Sequence, residues 1–275
     1  MRRSRRAKRL LYFKRRFKHH WRTILFCQIA AYFVVLVLWA LPIPNPVKML
    51  AVTFHELSHA LAALATGGRV FGIAVSPGGG GVTLGLGGNV LVVLFAGHIG
   101  SCLWGALLFY LSGKLRPEHC LSLLTVIVMG TCAVGWLNNA TILMGVLTMA
   151  IMAVLFKTPR VVKLFFIQLV ACACCLYAPI DVLGEVLGKS TALGIGSAEA
   201  ATKSDIHRIA ELLSVHPVAI GAFFIAVQVA VMVFFIRWTA SAGAKHAVKE
   251  EIEDHRQQVQ VWRDIHPDKR RHVVK

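Results

Sequence analysis

From Thr23 to Ile236 the chain is a succession of apolar runs, several of them close to the about 20 residues that a helix needs to cross a bilayer. That patterning excludes an ordinary soluble domain. It predicts an all-α polytopic membrane protein. With 56% hydrophobic residues and only 16% charged ones among 275, little is left over for a large water-facing surface.

The formal charge of +17 gathers at the two ends. Eleven Lys or Arg fall in the first 22 residues, and the first acidic residue is Glu56. A second charged block runs from Arg237 to Lys275. Basic ends also suit nucleic acid. Beside an apolar span, however, they read as topological signals that stay in the cytoplasm and touch anionic lipid, so no nucleic-acid partner is expected. The expected organisation is a basic cytoplasmic arm over 1–22, a membrane-embedded domain over 23–237 and a charged cytoplasmic tail over 238–275. The seven cysteines are odd in number and mostly lie in apolar segments, which reads as small apolar packing rather than a disulfide framework.

Six full spans are expected, at 23–41, 89–111, the two arms of 121–156 turning near Asn138-Asn139, 162–178 and 218–236. They place every basic loop on one side, provided that the 49–66 helix enters and leaves on the other; if that helix crosses, the spans number seven. Pro42 to Pro46 breaks the first span, and Gly67-Gly68 stops the 49–66 helix. Two short runs, 70–75 and 82–86, joined by Ser76-Pro77 and four glycines, read as a small membrane-associated β-hairpin. No Lys-Ser/Thr pair follows the glycines, so they are not a phosphate loop. The hairpin edge can instead pair with an extended peptide, or the segment is simply a linker. Gly97, Ser101 and Gly105 form a small-residue stripe for close helix packing. The region 179–217 is polar enough to leave the bilayer core, with a short helix from Ser204-Asp205 to Leu213.

Within the 49–66 run stands His55-Glu56-Leu57-Ser58-His59, an H-E-x-x-H pattern. Residues four apart share a helix face, so both imidazoles can address one metal ion, with Glu56 at its edge to take a proton from a metal-bound water. The pattern is short enough to arise by chance. Its setting argues otherwise, because an ionisable side chain in an apolar helix costs roughly 2.5–3.5 kcal/mol on insertion scales and therefore faces a site or a partner. Catalytic zinc takes three protein ligands and leaves one open position. Between Leu57 and the tail the acidic residues are Glu118, Asp181, Glu185, Glu199, Asp205 and Glu211. Topology favours the last five. Asp181 follows directly on a span, and Asp205 competes with a helix-cap role. His207 and His216 remain as histidine options. His98 beside the small-residue stripe is a packing histidine or a residue that reaches the metal or substrate. Asn138 and Asn139 satisfy backbone groups at their turn or hold substrate.

The H-E-x-x-H helix, the Thr66-Gly67-Gly68 and Gly-rich segment, the Ala96-Gly97…Gly100-Ser101 span, and Ser204-Asp205 followed by a short helix and Pro217 resemble the site-two protease family. The resemblance is closest to its branch of small bacterial and fungal membrane zinc metallopeptidase homologues, and it covers 47–112 well and 179–220 loosely. It implies an intramembrane zinc metalloprotease with one Zn2+ per chain. His55 and His59 would be ligands and Glu56 the general base, and the cut would fall in or near a transmembrane segment of a membrane-protein substrate. It also implies a multi-pass protein of a bacterial inner (cell) membrane, in contact with the lipid bilayer. The family's third ligand is an aspartate in an Asp-Gly pair. This chain has none, which leaves Asp205 first and Asp181 second. The same absence supports an alternative, a non-proteolytic membrane regulator that binds metal or a partner helix.

Overall fold

The computed structural model describes residues 2–40, 45–76, 80–135, 139–187 and 204–265. It divides into two units, one of residues 28–235 and one formed by 1–27 with 236–275. The second unit is helical wherever it is described. Its N-terminal part begins α1 (Arg2–Ala40), and its C-terminal part ends α8 (Pro217–Ile265). The basic arm and the first apolar span thus both lie in α1, and the tail is helical to Ile265.

In the unit 28–235, α2 (Pro46–Ala65) starts on Asn45, whose side chain accepts from the Val47 and Lys48 N–H groups, with Pro46 at the first helical position. This is a favoured start, since the cap satisfies orphan donors and proline has none to lose. The helix stops at Thr66, and Gly67 follows at φ +84°, a conformation that glycine adopts without strain. The hairpin is β1 (Arg69–Val75) against β2 (Gly81–Leu86), antiparallel, with an irregularity between Val70 and Gly72. Thr141 pins the end of β1 by accepting from the Val75 N–H at 2.9 Å.

The remaining elements are α3 (Val90–Ser112), α4 (Pro117–Val134), α5 (Asn139–Phe156), α6 (Arg160–Leu187) and α7 (Asp205–Leu213). Helix α3 is central and packs on α2, α6 and α7. The stripe makes the α3–α6 approach close: a Cβ at Gly105 would come within 2.7 Å of the Ala171 carbonyl oxygen and 2.5 Å of Cys175 Sγ. Lys163 at the start of α6 is buried and reaches Glu118 in the first turn of α4 at 2.6 Å, so those two helix starts lie at the same end of the bundle.

One expectation needs correction. Helix α6 does not end before Pro179. It runs through that proline to Leu187, and Asp181 lies inside it. Proline removes the N–H that would bond the Cys175 carbonyl, but buried residues on both sides (Ala171 to Cys175, then Ala178 and Val182) hold the helix against its neighbours. Of the six or seven expected spans, four are met among the described residues by helices long and apolar enough to cross a membrane: Val90–Ser112, Pro117–Val134, Arg160–Leu183 and Pro217–Lys245. Gln28–Trp39 and Thr141–Phe156 are apolar but shorter. The protein is an integral membrane protein with helical spans and one small hairpin.

Candidate metal centre

Helix α2 supplies three of the residues singled out above. His55, Glu56 and His59 are all buried, at 4%, 4% and 7% exposure. The helical period brings the two imidazoles together, with Nε2 to Nε2 at 2.9 Å.

Asp205 opens α7. Its rival role as a helix cap is not what the side chain does, because Ser204 occupies the cap position and the Asp205 carboxylate turns to the imidazoles. Asp205 Oδ2 lies 2.9 Å from His59 Nε2 and 3.6 Å from His55 Nε2. The aim follows from the sequence of this nine-residue helix. Ile206, Ile209 and Ala210 are buried in a cluster with Leu94, Val182, Ile220 and Phe224. Residues four apart share a face, so seating Ile209 carries Asp205 to the same side, toward α3 and the histidines. Burial alone would raise the Asp205 carboxyl pKa. A positive charge shared with His55 and His59 outweighs it and holds the group below the usual carboxylate range.

The tautomers can be read from the partners. His59 Nδ1 lies 2.7 Å from the Val93 carbonyl, which can only accept, so Nδ1 carries the hydrogen and Nε2 the lone pair. Ser101 Oγ donates to the Gly97 carbonyl at 2.8 Å, so it accepts from His55 Nδ1–H at 3.3 Å. Neutral imidazoles held this way present two lone pairs and one carboxylate oxygen to the same small space. Three acceptors at such distances repel unless a positive species lies between them. The three edges of 2.9, 2.9 and 3.6 Å bracket the about 3.3–3.4 Å that separates ligands on tetrahedral zinc with bonds of about 2.0–2.1 Å. The donor set therefore fits a zinc-type cation.

Space for it is kept by glycine. A Cβ at Gly97 would collide with the His59 ring and come within 2.7 Å of His55 Cε1. The small-residue stripe of α3 thus serves the histidines as well as helix packing. Glu56 is oriented by β2: Thr83 Oγ1 lies 2.8 Å from Glu56 Oε2 and 2.8 Å from its backbone carbonyl. A Cβ at Gly81 would come within 2.6 Å of Glu56 Oε1, so the hairpin glycine leaves that oxygen its clearance.

A second group shares His55. His55, His98 and Asp181 offer ligand atoms that all lie within 4.8 Å of one another. His98 is fully buried on α3, its Nδ1 4.0 Å from Asp181 Oδ2. Of the remaining candidates, Asn139 is exposed at the start of α5, two residues before the Thr141 that holds β1. His207 Nδ1 lies 2.8 Å from Ser204 Oγ, and His216 Nδ1 takes the Val218 N–H, so both serve their own helix ends. Asn138 and Glu199 lie outside the described residues, as does the side chain of Glu185.

No local pattern marks Thr83, the Val93 carbonyl or Tyr177, whose ring centroid is 5.0 Å from that of His55. Each is joined to the motif only by the fold. Ser101 was visible as a small residue, without its bond to His55.

The Peptidase M50B-like family model matches residues 28–235, more than half of the chain. No curated protein and no solved structure matches it.

Proposed function

The chain belongs to the Peptidase M50B-like family, and on that premise we propose that it is an intramembrane zinc metalloprotease that hydrolyses a peptide bond in or near a transmembrane segment of a membrane-protein substrate. The observation that carries this reading is the convergence of His55 Nε2, His59 Nε2 and Asp205 Oδ2 beside a buried glutamate. These three atoms would hold one Zn2+. The bound cation would supply Lewis acidity, making a water acidic and polarising the scissile carbonyl.

The chain's own groups do the rest. Val93 and Ser101 fix which nitrogen of each imidazole is free. Glu56 takes the proton of the attacking water and passes it to the leaving amine. Thr83 donates to Oε2 and keeps the carboxylate from rotating away, which leaves Oε1 as the proton-carrying oxygen beside Gly81. A helical substrate carbonyl is hydrogen-bonded and shielded, so the segment must unwind before attack. The hairpin has two strands, and among the described residues the outer edge of β2 has no strand partner. An unwound segment can pair there, which supports substrate binding by strand addition. In the same reading the basic ends are cytoplasmic and the protein resides in a cell membrane.

The test is Glu56→Gln in full-length protein, assayed on a single-pass reporter with zinc content measured in parallel. The expected outcome is unchanged zinc and cleavage lowered by about 10²–10⁴-fold or more, the usual worth of a general base. Wild-type protein that binds zinc and never cuts, or a variant that cuts as wild type does, would move the reading to a metal-binding regulator.

A further inference from the structure

The mechanism above makes no use of His98 or Asp181, yet both stand beside His55. Neither is an easy residue to place there. His98 is fully buried, with its ring 5.1 Å from that of His55 and 5.0 Å from Phe224. Asp181 lies in the apolar helix α6 and brings a carboxylate next to a site that already holds Glu56 and Asp205. Holding a carboxylate 4.0 Å from a fully buried imidazole in an apolar helix is costly unless the two share a positive charge. The His55–His98–Asp181 group has the two-imidazole, one-carboxylate composition of the first set, and its ligand atoms lie within 4.8 Å of one another. It is also the more open of the two, since the Asp181 side chain is 29% exposed against 21% for Asp205.

The two sets have His55 in common. A cation on one can pass to the other by exchanging two ligands while one imidazole stays attached, so it never has to be fully released in an apolar interior. We propose that His55, His98 and Asp181 form a transfer position for a zinc-type divalent cation, through which the cation is loaded onto His55, His59 and Asp205. The proposal rests on the metal reading of the previous subsection and extends it from where the ion stays to how it arrives. Asp181, at the exposed end, makes first contact. His98 and His55 strip the remaining water, and His59 with Asp205 completes the transfer. Occupancy stays at one ion per chain, because both sets need His55.

The probe is Co2+, whose visible absorption reports its ligand set, added to full-length detergent-purified protein stripped with a chelator. Wild type is expected to take up one equivalent. Asp181→Asn is expected to reach the same final content at least tenfold more slowly. This substitution keeps the shape, removes the charge and sits at a partly exposed position, so it tests the idea without a demanding refold. The second arm breaks the first set with His59→Gln and Asp205→Asn together. That variant should still bind Co2+, at least tenfold more weakly and with an altered spectrum, and adding Asp181→Asn should abolish the binding. Three results overturn the transfer position alone: loading of Asp181→Asn at the wild-type rate, a monodisperse double variant that binds no Co2+, or residual binding indifferent to Asp181→Asn. If the double variant aggregates, the loading rate of Asp181→Asn decides. Wild-type protein that takes up no Co2+ overturns this proposal and the metal reading together.

Discussion

Glu56 shows how a single side chain is prepared for proton transfer by residues far from it in sequence. It is buried on α2, and the hydroxyl that fixes it comes from β2, 27 positions away. A hydrogen bond to a charged group is worth about 1.5–3 kcal/mol, and each 1.4 kcal/mol is tenfold in rate. Thr83→Val keeps the β-branched shape that suits a strand and removes only the hydroxyl. Cleavage should therefore fall about ten- to a hundredfold with zinc content unchanged, as read by reporter turnover and metal analysis on the same preparation. Loss of zinc with the hydroxyl would mean that Thr83 supports the ligands rather than the base. His55, Glu56 and His59 were legible because one helical period carries all three. Elimination left five acidic residues, and only the family resemblance put Asp205 ahead of Asp181. Thr83 and the Val93 carbonyl were not legible, since which strand and which carbonyl come to lie against α2 is decided by packing, and no local pattern encodes it.

Among the elements, α3 has the most demanding surface. Its small residues must let α6 approach at Gly105 and two imidazole rings, nearly perpendicular to each other, approach at Gly97. Gly97→Ala places a methyl group inside the His59 ring's space, so the ligands must move. Zinc content should drop below a tenth of wild type while the spans remain inserted. Gly130 on α4 is the control: it is exposed in a helix interior, and a Cβ there meets nothing within 4 Å. Gly130→Ala should leave zinc and cleavage unchanged and stabilise by about 0.5–1 kcal/mol through helix propensity, visible as a small rise in melting temperature. Equal effects of the two substitutions would show that the stripe serves general packing only. The helices and the hairpin were legible at this scale because apolar runs and turn residues are local signals. The course of α6 through Pro179 was not. A proline reads as a stop in sequence, and only the buried contacts on either side of it, made by residues distant in the chain, keep the helix going.

For the molecule as a whole, the three proposed ligands come from two elements of very unequal anchorage. Helix α2 is twenty residues long, packed on α3 and α6 and braced by both strands. Helix α7 has nine residues and is held by three buried side chains. A cation between them ties the weakly held element to the strongly held one, so its removal should loosen α7 first and lower the stability of the bundle. A ligand that binds only the folded state stabilises by RT ln(1 + [L]/Kd), about 2.7 kcal/mol at a free concentration one hundred times Kd. Chelation of the wild type in detergent should then lower the melting temperature, and restoring zinc should recover it. In Asp205→Asn the midpoint should already sit near the chelated value and respond little to either treatment, because the carboxylate that connects the two helices is gone. Hydrogen exchange followed through the same titration separates this from a general effect of metal on the detergent-solubilised protein. Protection should fall over 205–213 on chelation while α3 keeps its own. Uniform loss across all helices would mean that the cation does not tie α7 to α2.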